Sequence, residues 1–236
     1  MVETIVITGG AQRVGLAMAR ALQQQGYQVV ISYRTERAGV AELQNLGVDC
    51  VAADFSEPAG VSAFSDYVLS RYSELRALIH NASEWAPEQP DCIDPSLVPR
   101  MMQIHVNTPY QLNLALTPLL QAQPGGADII HMTDYITQVG SSKHIAYAAS
   151  KAALANLTLS FAAKLAPHIK VNSIAPALLM FNQGDDDAYK QKTLRKTLMG
   201  IEPGPTDVVQ AVMYLINACY VTGSTIAVNG GRHLAR

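Results

Sequence analysis

The sequence predicts an α/β fold: a three-layer sandwich in which a seven-stranded parallel sheet lies between two layers of helices. Short apolar runs alternate along the chain with longer segments of helical periodicity, and the apolar runs do not alternate strictly with polar residues. Strands buried on both faces have this character. The 236 residues fit one domain, 1–236, and the hydrophobic fraction of 49% is sufficient for a large core.

The elements follow one another in regular order. Runs rich in Val and Ile predict the first two strands at 4–7 and 28–32, and further apolar runs predict strands at 48–53, 77–80, 128–132, 169–174 and 225–228. Helical periodicity between them predicts helices at about 13–25, 38–46, 60–71, 96–120 and 146–166. The stretch of about 176–204, with Pro, Gly, an Asp run and a helical segment at 189–199, predicts a substrate lid.

The composition excludes several classes of partner. The formal net charge is −2 without a basic stripe, which speaks against nucleic acid. No apolar run approaches 18 residues, which speaks against a membrane span. Cys50, Cys92 and Cys219 lack metal-site spacing and are expected to be reduced, buried thiols of a cytoplasmic protein. Met1 leads directly into the first strand rather than into a signal peptide. The six histidines show no metal-ligand spacing, so no metal is predicted.

A glycine-rich turn follows the first strand. Gly9, Gly10 and Gly15 surround Arg13 and Val14 at the start of the first helix. Glycines allow the backbone to approach a pyrophosphate, and a helix N-terminus favours its negative charge. In the first strand–helix unit such a turn indicates a Rossmann-type dinucleotide site, although by itself it is also a common tight connection.

The end of the second strand indicates which dinucleotide binds. An acidic residue is expected there in an NAD enzyme, whereas this chain has Ser32, Tyr33, Arg34 and Thr35. A guanidinium can hold a 2′-phosphate by a forked contact, and neighbouring hydroxyls can add to it. The sequence therefore predicts NADPH, the alternative being that Arg34 is a solvated surface arginine.

Polar residues also follow the next two strands. Asp54 is placed to accept from the adenine amine or to cap the next helix. Asn81, Ala82 and Ser83 are placed along the path of the dinucleotide, although Asn81 also suits a turn.

Tyr147 and Lys151 are four positions apart and share one face of a helix. A phenol beside an ammonium is a proton donor whose pKa can be lowered from about 10. Thirteen residues earlier the chain has Asp134. A carboxyl group near the same reacting atom favours an imine within a nitrogen heterocycle over a carbonyl, and a role as a turn cap is the weaker alternative.

These motifs, together with Asn107 and Pro176, resemble in order the short-chain dehydrogenase/reductase family. Three departures from the usual pattern resemble its pteridine reductase branch: Arg13 where a glycine is usual, Asp134 where a serine is usual, and Trp85 two residues after Ser83. Ala177 also replaces the glycine that usually follows the proline, which concerns only the local backbone path.

The resemblance implies a catalytic set of four residues. Tyr147 is expected to donate the proton, Lys151 to hold the nicotinamide ribose and lower the pKa of the tyrosine, and Asn107 to order a water molecule. Asp134 either accepts as a carboxylate, orienting Tyr147 or water, or stays protonated and donates. The predicted cofactor site comprises Gly9, Arg13, Val14, Gly15, Ser32, Tyr33, Arg34, Thr35, Asp54, Asn81, Ala82, Ser83, Tyr147, Lys151 and Pro176.

The expected substrate is a 7,8-dihydropterin, reduced at C6 and N5, with dihydrofolate as a poorer one. Trp85 is expected to stack on the pterin, Ser83 to accept from its 2-amino group, and Arg13 to reach its polar edge, beside Asp134 and Tyr147. The resemblance also implies a homotetramer. The alternatives are a carbonyl or quinone reductase, which has no special need for Arg13 or Trp85, and a non-catalytic NADP-binding sensor, which has no need for the proton relay.

Overall fold

In the computed structural model, which describes residues 2–89 and 92–235, seven parallel strands form one sheet in the order β3-β2-β1-β4-β5-β6-β7. The strands are β1 (Thr4–Thr8), β2 (Gln28–Tyr33), β3 (Asp49–Ala52), β4 (Ala77–His80), β5 (Ala127–Met132), β6 (Ile169–Pro176) and β7 (Thr225–Val228). All seven predicted strands are present, and the predicted fold class is confirmed.

The described part of the chain contains eight α-helices. They are α1 (Arg13–Gln24), α2 (Ala38–Asn45), α3 (Pro58–Arg71), α4 (Leu97–Met102), α5 (Thr108–Ala122), α6 (Ile145–Leu165), α7 (Asp187–Leu194) and α8 (Thr206–Asn217).

The two faces of the sheet bury separate apolar clusters. In β1, Ile5 and Ile7 pack in the cluster that contains α1, α2 and α8, whereas Val6 packs in the cluster that contains α3, α5 and α6. Both sets of side chains are fully buried, which explains why the strands lack polar alternation. Three layers result, with the sheet in the middle.

The chain order reverses between β1 and β4, which are neighbours in the sheet. Ligands of open α/β sheets bind beyond the carboxyl ends of the strands at such a reversal. The turn after β1 and the segment after β4 therefore meet at the point where the sequence places the glycines and Ser83.

The helices differ from the sequence prediction in three places. The single helix expected at 96–120 is divided by a π-helical segment, Gln103–Asn107, between α4 and α5. The lid helix is α7, Asp187–Leu194, rather than 189–199, because the side chain of Asp186 accepts from the Tyr189 amide and starts the helix earlier. Helix α8 was not predicted, although its buried Val208, Val212 and Leu215 follow helical spacing.

Candidate active site

The glycine turn after β1 is packed against the end of β4. Gly9 has φ +68°, and a Cβ there would lie 2.9 Å from Cα of Ala82. A Cβ on Gly15 would lie 2.3 Å from the carbonyl oxygen of Gly9. Only residues without side chains fit at these two points, so the backbone of the turn is left open towards the cleft.

Two side chains hold this turn in place. The amide nitrogen of Asn81 donates to the carbonyl oxygens of Thr8 at 3.2 Å and Gly9 at 2.8 Å. The buried hydroxyl of Ser32 accepts from the backbone N–H of Gly9 at 3.0 Å. Both residues were predicted to contact the cofactor, and in the structure these side-chain groups serve to shape the turn.

A cleft of about 440 Å³ runs from the glycine turn across the ends of β2 and β4. Exposed guanidinium groups of Arg13, Arg34 and Arg37 line it. The carboxyl group of Asp54 lies in the same cleft, and its pKa is held below the usual value by the Ser56 backbone N–H and, to a lesser extent, by Arg34. Three cations and a close-packed glycine turn are what a phosphate-rich dinucleotide requires, so the residues present fit NADPH.

Twelve predicted cofactor residues line this cleft: Gly9, Arg13, Val14, Gly15, Ser32, Tyr33, Arg34, Thr35, Asp54, Asn81, Ala82 and Ser83. Tyr147, Lys151 and Pro176 are not among its lining residues. The sequence did not indicate Arg37, Phe55, Glu84 or Ile104, which also line it. For Arg37 a signal existed, since it lies three residues after Arg34.

Arg13 adopts a backbone conformation that L-amino acids rarely use. Its φ is +51°, the only positive φ at a non-glycine residue in the described chain. This explains why a glycine is usual at the position. The guanidinium donates to the carbonyl oxygen of Met180 at 2.7 Å and to Oδ1 of Asn182 at 2.9 Å. Arg13 thereby connects the glycine turn to the segment 176–204, which the sequence predicts to be a lid.

The predicted catalytic side chains meet beside β5. The hydroxyl of Tyr147 donates to Oδ2 of Asp134 at 2.8 Å. Nζ of Lys151 donates to the carbonyl oxygen of Met132 at 2.8 Å and lies 5.7 Å from the centroid of the Tyr147 ring. Tyr147 and Lys151 are both buried, so this is a water-poor cluster on one face of α6.

Asp134 has two partners. Its Oδ1 accepts from the backbone N–H of Ile136 at 2.9 Å and caps the short 3-10 turn Tyr135–Gln138, while Oδ2 contacts Tyr147. The view that a capping role was the weaker alternative was therefore wrong, because the residue caps a turn and contacts the tyrosine at once. The cap fixes the side chain so that its second oxygen faces the phenol.

Burial dominates the ionisation of this cluster. It raises the pKa of Asp134 above the usual range. It also raises the pKa of Tyr147 well above 10, and the Asp134 carboxyl adds to that effect. The net shift in the pKa of Tyr147 is therefore upward, opposite in direction to the lowering expected from Lys151. Burial lowers the pKa of Lys151 itself to about 8.

Asn107 lies at the end of the π-helical segment. Its side chain donates to Oε1 of Gln103 at 3.2 Å, and no hydrogen bond joins it to Lys151 in the described chain. π-Helical turns inside α-helices occur frequently at functional sites because they displace the backbone locally. Here the segment also carries the buried His105.

The segment after β4 presents Ser83 and Trp85 to the cleft. Ser83 Oγ is 2.8 Å from Nε2 of His105. Trp85 is 61% exposed, and its ring lies 4.2 Å from that of His144 with a tilt of 34°. One face of the indole is therefore supported by a histidine, which the sequence did not indicate.

Further contacts hold the same segment to the start of α6. Both carboxylate oxygens of Glu88 accept hydrogen bonds, one from the backbone N–H of Ile145 and the other from that of Ala146. Glu84 pairs with Arg100 at 2.8 Å. The loop with Ser83 and Trp85 is thus positioned on the helix that carries Tyr147.

The lid and the cysteines differ in part from expectation. Asp185 and Asp186 accept hydrogen bonds from the backbone N–H groups of Asn182 and Tyr189, so the Asp run holds the local backbone. Leu179 is buried in the core.

Cys92 and Cys219 are exposed and Cys50 is half-buried, so the expectation of buried thiols was wrong, although all three are free.

Comparisons with known proteins agree with this geometry. A family model described as enoyl-(acyl carrier protein) reductase matches residues 9–233. A dihydromonapterin reductase of Escherichia coli strain SMS-3-5 / SECEC is 53% identical over 98% of this chain and 96% of its own length. The chain belongs to the short-chain dehydrogenase/reductase family. The dihydromonapterin reductase of E. coli strain K12 is 52% identical over the same shares.

Solved structures give the same result. FolM alternative dihydrofolate reductase 1 from Brucella canis, complexed with NADP, has a TM-score of 0.88 and 26% identity, covering 99% of this chain and 95% of that one. The RhlG/NADP active-site complex of Pseudomonas aeruginosa has a TM-score of 0.90 and 25% identity, covering 98% and 96%. Within the residues that the structure describes, no helix has the length and apolarity to cross a membrane, and no group of side chains is arranged for a metal ion.

Proposed function

We propose that this protein catalyses the NADPH-dependent reduction of 7,8-dihydropterins, with 7,8-dihydromonapterin converted to tetrahydromonapterin and dihydrofolate reduced more weakly. The observation that carries the proposal is the 2.8 Å contact between Tyr147 and Asp134. It places a carboxyl group where short-chain reductases usually have a serine, in a chain 53% identical to a dihydromonapterin reductase.

The reaction adds a hydride to C6 and a proton to N5 across the C6–N5 double bond. NADPH supplies the hydride when it is bound. Tyr147 holds its proton firmly, because burial and Asp134 raise its pKa. The phenol therefore remains the hydroxyl form at neutral pH and transfers its proton only when the reacting nitrogen becomes strongly basic.

Asp134 is the group beside Tyr147 through which the proton is replaced. Its raised pKa makes the protonated form more accessible than for an exposed aspartate. The buried charge of Lys151 stabilises negative charge that develops on the phenol. As a carboxylate Asp134 accepts from Tyr147, and as a carboxylic acid it donates. Its titration is coupled to that of Tyr147.

The substrate site combines Trp85, Ser83 and Arg13 with the catalytic cluster. The exposed indole offers one flat apolar face for a bicyclic ring, and its other side packs on His144. A carbonyl or quinone reductase has no special need for Arg13 or Trp85, and a sensor needs neither Tyr147 nor Lys151. These features favour the pterin reductase over both alternatives.

We also propose a homotetramer that acts in the cytoplasm. Exposed apolar side chains lie along α5 and α6, namely Tyr110, Leu114 and Leu159. Such a strip is suited to packing against a second copy. The three free cysteines, two of them exposed, suit a reducing compartment. Multi-angle light scattering should give a single tetrameric mass for the wild type. The Leu159→Arg variant should give a lower mass.

The activity is tested by following NADPH oxidation with 7,8-dihydromonapterin, 7,8-dihydrobiopterin and 7,8-dihydrofolate, with NADH as the control cofactor. Rapid turnover of a dihydropterin with NADPH, and slower turnover of dihydrofolate, is expected. Binding of NADPH without oxidation in the presence of any of the three pterins contradicts the proposal.

A further inference from the structure

His105 is a buried residue that connects the substrate side of the site to the catalytic helix. It is 1% exposed and lies in the π-helical segment between α4 and α5. Its Nε2 is 2.8 Å from Ser83 Oγ and 3.3 Å from the backbone nitrogen of Glu84. Its Nδ1 is 2.8 Å from Ser150 Oγ, and that hydroxyl donates to the carbonyl oxygen of Tyr147 at 2.8 Å.

The partners of His105 determine which ring nitrogen carries the proton. A backbone N–H can only donate, so Nε2 must accept from Glu84. A neutral imidazole has one N–H, which is then on Nδ1 and donates to Ser150. Burial, assisted by the charge of Lys151, lowers the pKa of His105 to about 2, which is consistent with a neutral ring.

This tautomer also determines the direction of the Ser83 hydrogen bond. Because Nε2 has no proton, the Ser83 hydroxyl is the donor in the 2.8 Å contact. A second acceptor, the carbonyl oxygen of Glu84, is 3.4 Å from Ser83 Oγ and competes weakly at that distance. With its single proton used, Ser83 presents only lone pairs to the cleft that it lines.

We infer that His105 is a specificity-determining residue. It makes the Ser83 hydroxyl a pure acceptor, and the hydroxyl then selects a heterocycle whose edge facing Ser83 carries an N–H donor. This inference rests on the proposed function, since the 2-amino group of a pterin is such a donor. A phosphate oxygen carries no proton to donate, so it is not a favoured partner of the Ser83 hydroxyl. His105 positions the serine and does not itself touch the substrate.

The test compares kcat/KM for a 7,8-dihydropterin and for its 2-oxo analogue with the same side chain, which carries an acceptor where the pterin carries the 2-amino donor. The wild-type protein should prefer the amino compound by about tenfold, the worth of one hydrogen bond. His105→Phe should reduce the preference to within about twofold, because the freed Ser83 proton can then be donated to the 2-oxo group. His105→Gln should keep most of it, because an amide oxygen can accept from Ser83 and Glu84.

Controls separate this role from a general packing role. Ser83→Ala should abolish the preference, and the double variant with His105→Phe should lose nothing more. His80→Phe removes another buried histidine, which pairs with Asn113 rather than with Ser83, and should leave the preference intact. If His105→Phe lowers kcat/KM for both compounds equally, His105 is only structural and the inference fails.

A second measurement does not depend on folded variants or on turnover. Nitrogen NMR of the 15N-histidine-labelled protein should show His105 as the Nδ1–H tautomer with an unprotonated Nε2 at neutral pH. The opposite tautomer overturns the inference even if dihydropterins are reduced. If instead the wild type reduces neither compound, the proposed function fails, and the tautomer still decides the polarity assigned to Ser83.

Discussion

Arg13 and Asn182 are 169 positions apart in the chain, yet Nη1 of the arginine donates to Oδ1 of the asparagine over 2.9 Å. A second donor of the same guanidinium contacts the carbonyl oxygen of Met180. Arg13, which occupies a position where a glycine is usual, therefore lies where the turn after β1 contacts the predicted lid. Its backbone remains at φ +51°, a conformation that costs an L-residue about 1 kcal/mol.

Arg13→Gly removes both the backbone strain and the lid contact. We expect cleavage within 180–200 in limited proteolysis to become several times faster, while the free energy of unfolding changes by less than about 1 kcal/mol because the two effects oppose each other. Arg13→Lys keeps the strain but lacks the forked donor, so it should show both faster cleavage and lower stability. Equal cleavage of wild type and both variants would contradict a role of Arg13 in holding the lid.

Tyr147→Phe removes the proposed proton donor and keeps the ring that packs against His105. Turnover of the dihydropterin should fall at least about 100-fold, the usual contribution of a general acid. The dissociation constant of NADPH, measured by fluorescence titration, should change less than about twofold, because the variant keeps the aromatic ring and its packing. Tyr135→Phe is the matched control, since its hydroxyl accepts from Arg232 and does not contact Asp134. Comparable losses of turnover in both variants would show that Tyr147 is not the proton donor.

Arg34→Ala tests the choice of cofactor. The KM for NADPH should rise by about tenfold or more, since a charge-assisted contact to a phosphate is lost, whereas the KM for NADH should change little. Arg37→Ala is the control, because it removes a cation from the same cleft three residues later. If Arg34→Ala raises both KM values equally, the arginine does not distinguish the 2′-phosphate.

Trp85 is the only tryptophan of the chain, so its fluorescence reports on the site directly. A dihydropterin that stacks on the exposed indole should quench this emission in a saturable manner. Trp85→Ala should weaken pterin binding about tenfold and leave NADPH binding unchanged, whereas Trp85→Phe should retain most of the affinity. Quenching that persists unchanged when His144→Ala removes the supporting ring would show that His144 does not hold the indole.

Lys151 makes the stability of the protein depend on pH. Burial lowers its pKa to about 8, against 10.5 for the free side chain. Between these two values the folded lysine has lost its proton and the unfolded one still holds it, so the unfolded state binds more protons and stability rises with pH. Below about pH 8 both states are charged, and the buried ammonium costs up to about 3 kcal/mol.

Lys151→Met should therefore gain stability relative to wild type at pH 7, and the gain should shrink between pH 8 and 10.5. Urea unfolding at several pH values measures the difference. Lys190→Met, at a half-buried lysine that faces Asp187 on α7, is the matched control. A difference for Lys151→Met that stays constant across this pH range would show that its pKa is not lowered by folding.

Much of the cofactor side could be predicted because its residues occur in consecutive groups. The turn after β1, the end of β2 and the segment after β4 each carry their residues within a few positions, and strand order brings the three groups to one edge. The partners of the catalytic side could not be predicted in this way. Glu88 contacts the start of α6 across 57 positions, and Ser83 contacts His105 across 22. No local periodicity encodes such pairs.

Apolar patterning and residue chemistry are local properties, so the parallel sheet, the position of the glycine turn and the candidate reacting groups could all be predicted before folding was considered. How those groups ionise and which way their hydrogen bonds run depend on the folded protein. Burial makes the pKa of Tyr147 higher rather than lower, and a backbone N–H on Glu84 fixes the proton of His105. Desolvation and donor geometry depend on neighbours that are distant in the chain, and folding alone brings these together.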